Sequence, residues 1–186
     1  SAFLKAILLD LDTNWEVPVE PLAVANFGFV VQGHMDRFGS PTEEQMAKVS
    51  VKNHGNALSN PLAQSGIELS VDDVMNSRRI TGPMKMYDCC LYSEGAAALI
   101  LASEDRAKEI CATPIWIEGV GASNQRSYMP DFDELGRMLC QQQSARRAYS
   151  MAGIRDPRNE LDLIETHDLL SGGELSSYAE LGLGEP

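Results

Sequence analysis

Apolar positions recur at helical spacing along much of this chain and gather into short continuous runs in its second half. From Leu22 to Phe38 the small and apolar residues are dense enough for a helix that buries much of its surface. His34, Asp36 and Arg37 make its last turns polar, and Gly39 offers a left-handed stop. Ser40-Pro41-Thr42-Glu43 predicts the next start, with Ser40 as cap, Pro41 in the first helical position and Glu43 completing a capping box. That helix is expected to run to about Ser59, before Asn60-Pro61 breaks it. Ser70-Val71-Asp72-Asp73 opens a short helix, and Ser103-Glu104-Asp105 opens another that reaches about Cys111. Leu135, Met138, Leu139, Gln142, Ala145, Tyr149 and Ala152 fall on one helical face that ends at Gly153, after which Asp156-Pro157 turns the chain.

The continuous runs predict strands. Ala96 to Ala102 has the character of a strand covered on both faces, 114–122 is expected to be the next, and Leu161-Asp162-Leu163-Ile164 begins a third at 161–166. Loops are expected at Asp10, Asp12, Thr13 and Asn14 and from Ser123 to Asp131. Helices followed by alternating strand and helix predict a layered α/β protein. At the end of the third strand stands Glu165-Thr166-His167-Asp168-Leu169-Leu170. It runs into Ser171-x-x-Glu174, the sequence form of a capping box, ahead of a helix that stops at Gly182. Ligands gather at the carboxyl ends of strands in open α/β sheets, so His167 is either a ligand-facing residue or a turn histidine bonded to its own loop.

Composition narrows the classes. The chain has 186 residues, 44% hydrophobic and 23% charged, as globular proteins are. Its formal net charge of −12 argues against a nucleic-acid backbone as partner. The longest apolar run, Ala96 to Ala102, is too short to span a bilayer, so no membrane partner is expected. Cys89, Cys90, Cys111 and Cys140 show neither CxxC nor zinc spacing, and reduced thiols in a cytoplasmic protein are the simplest reading. Cys89 and Cys90 read as packing residues rather than nucleophiles, and His34 as a helix-end residue. Lys52, Asn53, His54, Asn56 and Asn60 crowd one helix half, either as a solvated face or as a face that meets a ligand or a neighbouring domain.

Five segments in order resemble the thiolases, in particular the sterol-carrier-protein-type and archaeal-type members. They are His34-Met35-Asp36-Arg37-Phe38-Gly39; Lys52-Asn53-His54-x-Asn56-Ala57-x-x-Asn60-Pro61-x-Ala63-Gln64; Asp88-Cys89-Cys90-x-x-Ser93-Glu94-Gly95-Ala96-Ala97-Ala98; Ala152-Gly153-Ile154-x-Asp156-Pro157; and Glu165-x-His167-Asp168 with Glu174-Leu175-x-x-Tyr178-x-x-Leu181-Gly182. Glu94 stands where the family usually has Asp, and Leu169-Leu170 where it has a small or aromatic pair.

The resemblance implies a layered αβαβα thiolase-like fold, incomplete in this chain. Residues 1–33 would end the first thiolase half, 34–85 would form the loop domain over the CoA end of the site, 86–112 would return to the first half, and 113–186 would start the second. It implies Claisen chemistry on 3-oxoacyl-CoA, including aromatic acyl-CoA such as benzoylsuccinyl-CoA, with coenzyme A as substrate and no further cofactor or metal. The alternatives are a non-catalytic CoA-ester- or partner-binding subunit and a retro-aldol lyase on the same scaffold. His167 and Asp168 would be catalytic, with His167 holding a water of an oxyanion hole. His54, Asn56 and Asn60 would bind substrate or CoA. A homodimer and a small OB-fold partner protein are implied as partners. The family's nucleophilic cysteine and its Gly-His-Pro histidine would lie upstream and downstream of residues 1–186, so this segment alone is expected to be inactive and poorly soluble.

Overall fold

The computed structural model describes residues 11–19, 23–125 and 134–185. Leu22, Asp10 and the far end of the expected loop at Ser123 to Asp131 lie outside them. The helices are α1 (Ala23–Phe38), α2 (Glu43–Ala57), α3 (Val71–Met75), α4 (Glu104–Ile110), α5 (Leu139–Ala152), α6 (Pro157–Glu160) and α7 (Ser171–Glu180). Strands β1 (Arg79–Thr81) and β2 (Met84–Lys85) form an antiparallel hairpin, followed by a 3-10 turn at Met86–Asp88.

Local signals set most helix ends. Gly39, Gly153 and Gly182 take the left-handed conformation after α1, α5 and α7. Ser70 caps α3 in a reciprocal box with Asp73. The start of α2 differs from expectation by two residues. Thr42, not Ser40, is the cap, and Gln45, not Glu43, closes the box. Glu43 is drawn off to Lys85, whose buried ammonium lies 2.5 Å from its carboxylate.

The core lies where α1, α2, the hairpin and the entry to α7 meet: Val31, Met46, Met84 and Leu170 are all buried there. Gly172 makes the approach possible, because a Cβ at that position would stand 2.7 Å from Met46 Sδ and from a Val31 methyl. His34, in the last turns of α1 as expected, is buried. It is 2% exposed, and its Nδ1 lies 2.9 Å from the Gly136 carbonyl oxygen, joining α1 to the segment before α5.

The three expected strands are not paired. Residues 96–102, 114–122 and 161–166 carry no ladder, and Leu99, Ile100 and Leu101 are 71–91% exposed. A strand exists only when a neighbour brings its N–H and C=O groups into register, and no described segment does so for these three. The segment 114–122 instead lies across α5. A Cβ at Gly119 or Gly121 would overlap the Ala148 or Ser144 carbonyl oxygen, so the segment can approach only through glycine.

Candidate functional site

Two long-range joints position the loop at 165–170. The first is main chain: Leu170 bridges Cys89, and the Cys90 N–H donates to the Leu169 carbonyl at 3.0 Å. The second is built on α2. Asn53 Nδ2 donates to Asp168 Oδ2 (2.5 Å) and to Glu174 Oε2 (2.8 Å), while Lys52 Nζ and the Tyr178 hydroxyl both donate to Glu174 Oε1. The expected Ser171–Glu174 capping box is therefore absent. The cap of α7 is Leu170, without a side-chain bond. Glu174 is spent on Lys52, Asn53 and Tyr178, and Ser171 Oγ donates to Asp88 Oδ1 at 2.7 Å.

Asp88 is a buried joint that sequence reasoning missed. Its carboxylate accepts from Ser50 Oγ (3.0 Å) on α2, from Ser171 Oγ on α7 and from the Lys85 N–H (2.9 Å). The available signal was an Asp just before two cysteines, and nothing local tells that its partners lie 38 and 83 positions away.

The electrostatics divide the two neighbouring carboxyls. Burial pushes Asp168 above the usual carboxylate range, and the Glu174 charge adds to the shift, with the Asn53 hydrogen bond opposing it. Burial also pushes Glu174 up, but the hydrogen bonds from Lys52, Tyr178 and Asn53 outweigh it and hold it below its ordinary value. Asp168 Oδ1 is buried without a partner. Burial, then the Asp88 and Cys90 charges, push the Cys89 thiol up to about 11, and burial and Asp168 raise Cys90. Both thiols stay protonated at neutral pH, which suits packing and not attack.

Three clefts lie around this loop, and two of them hold the histidines expected at the site. One, of about 340 Å³, is lined by Asn53, His54, Gln64, Tyr87, Cys90 and Asp168 among others. The second, of about 290 Å³ and mostly apolar, is lined by Phe27, Met138, Cys140, His167, Leu169 and Ser177 among others. His167 and Asp168 thus line different clefts. Among the described residues no His, Cys, Asp or Glu cluster has a metal-binding arrangement, and no helix is long and apolar enough to cross a membrane.

The sequence matches no protein-family model. It is 33% identical over 180 residues to acetyl-CoA acetyltransferase of Methanothermobacter thermautotrophicus, covering 97% of this chain and 46% of that protein. It is 36% identical over 170 residues to sterol carrier protein 2 of Bos taurus, covering 88% of this chain and 30% of that one. It is 30% identical over 143 residues to benzoylsuccinyl-CoA thiolase subunit BbsB of Thauera aromatica, covering 76% and 36%. Its fold is similar to that of a solved Ltp2-ChsH2(DUF35) aldolase, with a TM-score of 0.80 over 96% of this chain and 46% of that one, at 22% identity. The chain belongs to the thiolase family.

This thiolase-family chain has the layered thiolase-like fold class expected of it. It spans from about a third to about half the length of these relatives. His167, on the loop entering α7, is exposed and makes no hydrogen bond with the described residues. It is therefore not a turn histidine bonded to its own loop. Asp168 does not hydrogen-bond to it; its carboxylate turns to Asn53. His54 reaches the polar cleft and meets Tyr87 edge-on, with ring centroids 6.2 Å apart. Asn56 and Asn60 are exposed and line neither cleft, and Asn60 Oδ1 accepts from the Leu62 N–H, closing the turn at Pro61.

Proposed function

We propose that the protein containing this sequence acts on acyl-CoA thioesters by thiolase-type carbon–carbon chemistry, with His167 as an oxyanion donor. The observation that carries the reading is the imidazole of His167, exposed, without a hydrogen bond to the described residues and facing an apolar cleft, on a loop held at Asp168 and again from Leu169 to Leu170. Two of the relatives are named acetyl-CoA acetyltransferase and benzoylsuccinyl-CoA thiolase subunit, which supports an acyl-CoA substrate. In such a reaction a thiolate adds to the 3-oxo carbonyl, and the bond between C2 and C3 breaks. The electron pair goes to C2 as an enolate, which a proton then converts to acetyl-CoA. CoA-SH removes the acyl group from the thiolate as the second acyl-CoA. The enolate oxygen needs preoriented donors, and His167 supplies one directly or through a water.

Cys89, with its thiol pushed up to about 11, is a poor nucleophile. The proposal puts the nucleophile outside residues 1–186. Coenzyme A enters as substrate, and no further cofactor is required. His54 on the polar cleft is the best-placed of the three expected CoA-side residues. A homodimer and a small OB-fold partner belong to the same proposal, the latter supported by a relative named as a subunit.

The aldolase name of the fold neighbour favours a second reading, a retro-aldol lyase, which also expels an enolate but needs no CoA-SH. Steady-state assays of the full-length protein separate the two. Thiolysis of a 3-oxoacyl-CoA that requires CoA-SH supports the first, and CoA-independent cleavage of a 3-hydroxyacyl-CoA supports the second. In either, His167→Ala is expected to lower kcat about 100- to 1,000-fold with far less change in KM, and Asn at 167 retains more activity than Ala. A normal kcat in His167→Ala overturns the site assignment.

A further inference from the structure

We infer that Asn53 is the positioning residue for His167, tying the loop that carries the imidazole to α2; the inference rests on the role given to His167 above. From 162 to 168 no backbone group hydrogen-bonds to another element among the described residues. The main-chain bridge at Cys89 and Cys90 takes hold only from Leu169 onward. The tether nearest His167 is thus the Asp168 carboxylate, and its hydrogen-bond partner is the Asn53 amide.

Asp168 lines the cleft on the α2 side and His167 the apolar cleft. The two residues share one planar peptide bond, so holding the Asp168 side chain restricts where the His167 side chain can go. Asn53 Nδ2 is anchored in turn. It also donates to Glu174, whose carboxylate is 4% exposed and clamped by Lys52 and Tyr178. One amide therefore joins α2, the loop and the first turn of α7 across 115 and 121 positions of sequence. The residue type matters. A neutral group with two N–H donors can serve two carboxylates at once, whereas Asp in that place would set three carboxylates together and leave Asp168 without its donor.

The test uses the full-length protein, with hydrogen–deuterium exchange and steady-state kinetics read together. Asn53→Ala is expected to raise exchange in 164–169 about fivefold or more while α4 is unchanged. Its kcat falls on the order of ten- to a hundredfold at nearly constant KM, since a small misplacement of a catalytic group costs this much. Asn53→Asp is at least as damaging. Asp168→Leu, which removes the acceptor of the Asn53 amide, matches Asn53→Ala in exchange and adds nothing to it in the double variant. Unchanged exchange at 164–169 in Asn53→Ala, or a loss carried by KM alone, overturns the inference. If the parent protein cleaves neither class of acyl-CoA, the proposed function fails, and the exchange measurement by itself decides the tether.

Discussion

Replacing Asp88 by Ala removes the acceptor that joins α2, α7 and the hairpin. Three donors lose it: the hydroxyls of Ser50 and Ser171 and the Lys85 N–H, at 3.0, 2.7 and 2.9 Å. A hydrogen bond to a charged group contributes about 1.5–3 kcal/mol net. Ser50 has a second acceptor in the Met46 carbonyl at 3.3 Å, so it loses least. The remaining two set a loss of about 3 kcal/mol or more, because the donors are left in a site that is buried on both sides. One kcal/mol moves the melting point of a 150–250-residue protein by about 2–4 °C, which becomes about 1–2 °C in a chain about twice as long. Scanning calorimetry or fluorescence melting of the full-length protein should therefore show a drop of about 3–6 °C for Asp88→Ala. Asp88→Asn keeps one acceptor oxygen and loses roughly half as much. A double-mutant cycle with Ser171→Ala should return a coupling of about 1.5 kcal/mol or more. A melting point within 1 °C of the parent for both Asp88 variants, measured against the ordinary scatter of such data, would refute the reasoning: the carboxylate would then not be the joint its contacts describe.

Three further outcomes follow from the same geometry. Glu174 sits below its ordinary range in the fold, so its stabilisation is full above the unfolded pKa of about 4.3 and fades as pH drops through the folded value, whereas Asp168, raised by burial, opposes folding above its own pKa and is relieved on protonation; Glu174→Gln should flatten the acid limb of the stability profile, and Asp168→Asn should raise stability at pH 7. Cys89, pushed up to about 11 and half-buried, should resist iodoacetamide at pH 7.5 in native protein and label only after unfolding, as read by peptide mass spectrometry. His54→Ala should weaken CoA-ester binding, while Asn60→Ala, which loses only the turn to Leu62, should leave affinity unchanged; equal effects in calorimetric titration would contradict the placement of His54 on the cleft.

Helix existence and most helix ends were legible in the sequence. Caps and glycine stops act over a few residues, and Ser70 with Asp73, or Gly39, Gly153 and Gly182, have their effect wherever the chain is placed. The five segments in order likewise carried the family. Partners far along the chain were not legible. Ser171 and Glu174 have the spacing of a capping box, yet each makes a stronger bond elsewhere, Ser171 with Asp88 and Glu174 with Lys52, Asn53 and Tyr178. Glu43 deserts its box for Lys85 in the same way. An ionised partner in a buried place outweighs a neutral cap at the surface. Strand formation failed for a related reason: an apolar run specifies burial, but only a neighbour in register makes a ladder, and 96–102 has none among the described residues. So the sequence by itself determined where most helices lie and stop and which family the chain belongs to. The tertiary structure decided which polar groups meet, because hydrogen-bond choice at a buried carboxyl is settled by whichever donors the fold brings within about 3 Å.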